Sequence, residues 1–160
     1  MTSEQSLVEL LAKYKLKITT AESCTGGLVA ATLINVPGVS AYLKAGYITY
    51  SDKAKHRILG VRKKTLKKFS AVSDKVAAEM AKGAAKLEKA DVAIAVTGLA
   101  GPDGGTEKKP VGLVYIGIYV RGKVRVKECR FDGDRESIRH SSVAEALRLT
   151  QKMILKSCGE

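Results

Sequence analysis

The chain has 160 residues, 45% of them hydrophobic and 28% charged. That balance fits one domain with a substantial core, expected over residues 1–160, and excludes a disordered polar chain. No apolar run is long enough for a bilayer, and the N-terminal residues mix Glu4, Glu9 and Lys13 with periodic leucines, unlike a secretory signal. The expectation is a cytoplasmic protein without a membrane partner. A net charge of +12 comes from dispersed Lys and Arg, with no Trp and 5% aromatics. It predicts attraction for small anions and no specific nucleic-acid site. Cys24, Cys129 and Cys158, with only His56 and His140, match neither a disulfide framework nor a metal centre.

Thr2-x-x-Gln5 reads as a capping box opening a surface helix to about residue 15. Residues 16–20 are short and β-branched, as a strand should be, and residues 28–34 are apolar almost throughout, predicting a buried helix. Pro37-Gly38 stops it. Residues 41–50 read as a strand with Gly46 as a bulge. Ser51 or Asp52 then caps a short helix that Gly60 ends. Residues 61–68 form a basic, solvated helix, and Ser73 or Asp74 opens an Ala-rich one over 75–89. Residues 91–97 are an uninterrupted apolar strand, as at the centre of a sheet covered on both faces. A Gly- and Pro-rich loop follows over 98–110, long enough to be functional. Residues 112–120 and 123–131 pair as a hairpin across Arg121-Gly122, and a last amphipathic helix runs from about Gly133-Asp134 to 156. This order predicts a three-layer α/β/α sandwich with a mixed, mostly parallel central sheet. Ligands of such sheets sit beyond the carboxyl ends of strands.

Thr20-Ala21-Glu22-Ser23-Cys24-Thr25-Gly26-Gly27 sets a hydroxyl and two glycines where a strand turns into a helix. Free N–H groups at such a junction suit an oxyanion or a phosphate, which makes Ser23 a candidate nucleophile and Thr25, Gly26 and Gly27 substrate-binding candidates. The competing reading is that Ser23 or Thr25 only caps the helix. Cys24 is either a rival nucleophile or a small buried thiol. Thr97 and Gly98 end the apolar strand, where a turn and a ligand contact are both open. An activated serine needs a base, and neither histidine has an acidic partner nearby in sequence. A lysine serves if its pKa is lowered. Lys55, on the first turn of a helix leaving a strand end, is the candidate, against the ordinary surface lysine. Tyr50 either packs a strand end or hydrogen-bonds a substrate. Arg135 and Arg139 are surface residues or phosphate holders. The glycine loop is neither a P-loop nor a dinucleotide fingerprint.

The segment Thr20 to Gly27, with Gly46-Tyr47-Ile48-Thr49-Tyr50-Ser51-Asp52-Lys53-Ala54-Lys55, Ala71-Val72-Ser73, Val96-Thr97-Gly98-Leu99-Ala100-Gly101-Pro102-Asp103-Gly104-Gly105 and Phe131-x-Gly133-Asp134-Arg135-x-x-Ile138-Arg139, resembles the CinA C-terminal domain family. That family includes stand-alone nicotinamide mononucleotide deamidases. The resemblance implies an α/β/α amidohydrolase, a homodimer or higher homo-oligomer. It would convert nicotinamide mononucleotide to nicotinic acid mononucleotide and ammonia without metal or organic cofactor. On matching positions Ser23 is the nucleophile, Lys55 its base and Tyr50 an assisting hydroxyl, while Thr97 and Arg139 hold or orient substrate. Asp52 stands where the family commonly has Asn, and Asp103 where it commonly has Gly. Asp52 would stabilise a Lys55 ammonium, and Asp103 would place negative charge near a phosphate. The alternatives are an amidohydrolase of another small amide, or a non-catalytic nucleotide-binding or interaction module linked to competence or DNA damage.

Overall fold

The computed structural model describes residues 1–159. Helix α1 (Ser3–Tyr14) opens on the expected capping box: the Thr2 hydroxyl accepts from Gln5 N–H and the Gln5 side chain from Thr2 N–H. Strand β1 (Ile18–Glu22) leads through a tight turn into α2 (Leu28–Ile34). After the short β2 (Tyr47–Ile48), α3 (Asp52–Leu59) starts on the Ser51 hydroxyl, which accepts from Ala54 N–H at 3.1 Å. Helices α4 (Lys63–Phe69) and α5 (Asp74–Glu88) follow, the latter capped by Ser73. Strands β3 (Val92–Gly98), β4 (Leu113–Val120) and β5 (Lys123–Arg130) precede the long α6 (Arg135–Cys158), capped by Asp134.

The five strands lie in the order β2-β1-β3-β4-β5. Strand β1 pairs in parallel with β2 and β3, whereas the β3–β4 and β4–β5 pairs are antiparallel. Only β4 therefore runs against the other strands, in the mixed sheet expected from the element order. Alternation along β3 divides the interior. Ile94 and Val96 face a core built from α1, α2 and α6, with Leu11, Leu33 and Leu147 among its members. Ala93 and Ala95 face α3, α4 and α5, where Leu59, Leu66, Met80 and Ala84 close the second core. Small residues on both sides of that second interface let α5 sit close to the sheet.

One predicted element is corrected. Residues 41–50 hold not a long strand but a 3-10 turn (Val39–Ala41), an isolated parallel bridge from Leu43 to Ile18, and the two residues of β2. Gly46 is no bulge. A Cβ there would lie 2.5 Å from Thr20 Oγ1, so the chain crosses β1 too closely for any side chain. At the sheet edge, aromatic and β-branched residues have one neighbour to pair with, and the ladder stops early.

The basic segment forms α4, whose lysines are largely solvated while Thr65 and Leu66 are buried.

Gly83 in α5 is a second close approach, since its Cβ would stand 1.9 Å from the Leu59 carbonyl oxygen at the end of α3. In an open helix interior Gly→Ala gains about 0.5–1 kcal/mol. Here the sign reverses: Gly83→Ala is expected to destabilise by about 1–3 kcal/mol through overpacking. A thermal melt should show a transition lowered by several degrees; an unchanged or raised transition contradicts the packing.

Candidate active site

The carboxyl end of β1 is fixed from both sides. Ser23 N–H donates to Val96 O on β3 at 2.9 Å, which holds the serine in register just past the end of β1. The chain then turns through Gly26 (φ +57) and Gly27 (φ +99), left-handed positions suited to glycine. Two hydrogen bonds close the turn, Gly26 N–H to Ser23 O and Leu28 N–H to Thr25 O, each 3.0 Å. Cys24, Thr25 and Gly27 N–H have no backbone acceptor among the described residues.

The start of α2 is not the open anion cradle expected of it. Glu22, wholly buried, turns its carboxylate onto this helix: Oε1 accepts from Val29 N–H at 2.8 Å and Oε2 from Ala30 N–H at 3.1 Å. The carboxylate satisfies two of the helix's otherwise unpaired donors and sits at the positive end of its dipole. Neither Ser23 nor Thr25 caps the helix. Its N-cap is Gly27, and the buried Thr25 hydroxyl has no partner among the described residues.

Arg139, expected to hold or orient a ligand, instead reaches from α6 to the same turn. Its Nε donates to Cys24 O at 3.1 Å and its Nη2 to Thr25 O at 2.9 Å. The turn is thus held by a carboxylate on its N–H side and a guanidinium on its carbonyl side. Thr25, Gly26, Gly27 and Arg139 all lie outside the lining of the adjacent cleft.

Lys55 faces Ser23 from the first turns of α3. Its Nζ lies 3.0 Å from Ser23 Oγ and donates to Thr49 O at 2.9 Å, with the side chain 1% exposed. Burial lowers its pKa below the ordinary 10.5, against the opposing pull first of the Asp52 carboxylate and then of Cys24. Once neutral, the amine can keep its N–H bond to Thr49 O while its lone pair accepts the Ser23 proton. Cys24 is a poor rival, because burial pushes its thiol up to about 11. The histidines are elsewhere: His56 Nδ1 lies 2.8 Å from Val61 O, and His140 is near Glu136 on α6.

Ser23 and Lys55 open into a cleft of about 270 Å³ whose lining includes Tyr50, Thr97, Gly98 and Arg135, with Asp52 and Asp103. Tyr50 does not pack a strand end. It is 63% exposed, and its hydroxyl accepts from Arg135 Nη2 at 3.1 Å. Thr97 donates its hydroxyl proton to Ala71 O at 2.8 Å, tying the β3 end to the segment before α5. Gly98 leaves no room for a side chain, since a Cβ would stand 2.7 Å from Val114 Cγ2. Among the described residues no three His, Cys, Asp or Glu side chains converge as metal ligands.

Sequence reasoning missed the roles of Glu22 and Lys109. Lys109 folds back from the glycine loop and donates to Phe69 O, Ser70 Oγ and Val72 O at 2.8, 2.6 and 2.7 Å. It pins one wall of the cleft to another. A lysine in a Gly- and Pro-rich loop carries no signal for this role. Glu22 stands shortly before the predicted helix, but Ser23 and Thr25, the commoner capping types, stand closer and mask it.

The CinA C-terminal domain model matches residues 1–154. The chain belongs to the CinA C-terminal domain family. It is 51% identical over 152 residues to a CinA-like protein of Kosmotoga olearia, covering 95% of this chain and 37% of that one. It is 49% identical over 153 residues to a competence-damage inducible protein of Clostridium beijerinckii, covering 96% and 37%. The chain therefore spans little more than a third of the length of these relatives. Its fold matches the crystal structure of a CinA superfamily protein from Klebsiella pneumoniae at TM-score 0.92 and 35% identity, over 98% of this chain and 99% of that one. A competence/damage inducible protein from Agrobacterium tumefaciens matches at TM-score 0.87 and 42% identity, over 92% of each.

Two predictions concern this CinA-family site. The folded protein releases the Lys55 proton at lower pH than the unfolded chain, so between the two pKa values the unfolded state binds more protons. Burying Lys55 thus costs stability at low pH that is regained as pH rises toward 10.5. Lys55→Met removes this term. Its stability relative to wild type, from urea unfolding at several pH values, should fall as pH rises toward 10.5 and level off above it; a pH-independent difference contradicts the shift. Second, Glu22→Ala leaves one buried and one half-buried N–H group unpaired and should cost about 1–3 kcal/mol in the same measurement. A loss under 0.5 kcal/mol contradicts its bracing role.

Proposed function

We propose that this chain is a nicotinamide-nucleotide amidohydrolase, converting nicotinamide mononucleotide to nicotinic acid mononucleotide and ammonia. The observation that carries the reading is the buried contact of 3.0 Å between Lys55 Nζ and Ser23 Oγ at the carboxyl end of a central strand. Neutral Lys55 takes the Oγ proton as Oγ attacks the carboxamide carbon. The tetrahedral oxyanion accepts from the N–H of Cys24, which has no backbone acceptor among the described residues and belongs to the cleft lining. The Lys55 ammonium then protonates the departing nitrogen, giving ammonia and an acyl-Ser23. In the second half Lys55 takes a proton from water as the water oxygen attacks the acyl carbon, then returns it to Ser23 Oγ as the acyl–oxygen bond breaks. The carboxylic acid product leaves and ionises, and neutral Lys55 and the Ser23 hydroxyl are restored. Serine–lysine pairs are a known variant of serine catalysis. Tyr50 is the assisting hydroxyl at the cleft mouth, and Thr97 shapes its floor.

The nucleotide substrate suits a cytoplasmic enzyme, and the family resemblance favours a homodimer or higher homo-oligomer. A non-catalytic module linked to competence or DNA damage has the names of relatives in its favour. It leaves unexplained why a lysine is buried against a serine hydroxyl, a placement that costs folding free energy.

Ammonia release from nicotinamide mononucleotide by the purified protein tests the proposal. Ser23→Ala should lower turnover by about 10³-fold or more. Cys24→Ala should retain most of it. A Cys24→Ala protein that is folded yet as inactive as Ser23→Ala reverses the assignment of the nucleophile.

A further inference from the structure

Three features of the chain offer to hold the anionic group of a nucleotide: the start of α2, Arg139 and Arg135. The structure leaves one of them free. At α2 the Glu22 carboxylate already occupies the Val29 and Ala30 N–H groups, and a phosphate there would meet a buried negative charge. Arg139 is committed to the carbonyls of Cys24 and Thr25 and is not part of the cleft lining. Lys55 is engaged with Ser23 and Thr49 and must be neutral to act as base.

Arg135 differs from all of these. It lines the cleft together with Ser23 and Lys55. Its Nη1 donates to Gly101 O at 2.6 Å and its Nη2 to the Tyr50 hydroxyl at 3.1 Å, so it bridges from the glycine loop to the strand-end tyrosine. Both partners are neutral, and Arg135 makes no ion pair among the described residues. A guanidinium has five N–H donors in a planar fork. Donors therefore remain for a bidentate oxyanion. The carboxylates of the same lining are Asp52, beside the Lys55 helix, and Asp103, in the glycine loop after Gly101. Asp103 opposes an anion at the loop end and moderates its affinity.

We propose that Arg135 is the anion-recognition residue of this cleft. It holds the phosphate of the substrate and sets the preference for a nucleotide over the corresponding nucleoside. The inference rests on the amidohydrolase reading of the cleft and adds the end at which the phosphate lies: between Tyr50 and Gly101, with the carboxamide at Ser23. Arg135 is a specificity residue, and Tyr50 is its hydrogen-bonded orienting partner.

The test compares wild type, Arg135→Gln and Asp103→Asn on nicotinamide mononucleotide and nicotinamide riboside, with ribose 5-phosphate binding measured by calorimetry. In Arg135→Gln the ratio of kcat/KM for nucleotide over nucleoside should fall at least tenfold, and ribose 5-phosphate should bind at least tenfold more weakly. Asp103→Asn should shift both quantities in the opposite direction. Equal losses on both substrates, with ribose 5-phosphate binding unchanged, would make Arg135 a structural brace and overturn the inference while leaving the amidohydrolase reading intact. If wild type turns over neither amide, that reading falls. Arg135-dependent binding of ribose 5-phosphate then still supports the anion site, and binding indifferent to Arg135 overturns it.

Discussion

A lysine amine held out of water against a serine hydroxyl is the constraint on which the rest of this structure depends. An ammonium in that position loses its hydration and finds, among the described residues, one carbonyl and one hydroxyl in hydrogen-bond reach, Thr49 O and Ser23 Oγ. Desolvation favours the neutral amine, which is the form that can take a proton. The fold maintains this placement from a distance. The Ser51 cap sets where α3 begins, and α3 ends where Gly83 admits the Leu59 carbonyl against α5. The small side chains of α5 in turn let it lie close to β3. Asp52 works against the arrangement by attracting the ammonium, and burial is the larger effect.

The serine side is held with equal care by different means. Its turn contains two glycines with positive φ and is therefore weakly determined by its own side chains. Opposite charges supply the rigidity: Glu22 on the N–H groups of α2 and Arg139 on the carbonyls of Cys24 and Thr25. Because these bonds go to main-chain atoms, they fix backbone position without occupying the cleft. For the proposed chemistry this means preorganisation, since a nucleophile displaced by about 1 Å loses much of its advantage. It also leaves Arg135 of α6, and not the start of α2, as the proposed anion-binding end of the cleft.

Much of this was legible in the residues. Thr2-x-x-Gln5, Ser51, Ser73 and Asp134 are local caps, and local hydrogen bonds leave local patterns. The apolar run of β3 and the hairpin across Arg121-Gly122 were readable for the same reason. Ser23 and Lys55 each stood out at a strand-to-helix junction, but their pairing across 32 positions came from the family resemblance and not from spacing. Residues 41–50 misled because strand-like composition was read without knowing that the segment lies at a sheet edge. Arg139, Lys109 and Glu22 share another difficulty. Each acts on main-chain atoms, two of them far away in sequence, and such bonds impose no recognisable pattern on the partner's residue types.

That burial favours the neutral form of the Lys55 amine can be measured without any substrate. Isotope-labelled lysine side chains, followed by heteronuclear NMR across a pH titration, report each ε-amine separately, and Lys55→Met assigns the resonance. The account predicts that Lys55 titrates below 10.5, apart from the surface lysines, and lower still in Asp52→Asn. Titration of Lys55 together with the surface lysines, unmoved by Asp52→Asn, would contradict it.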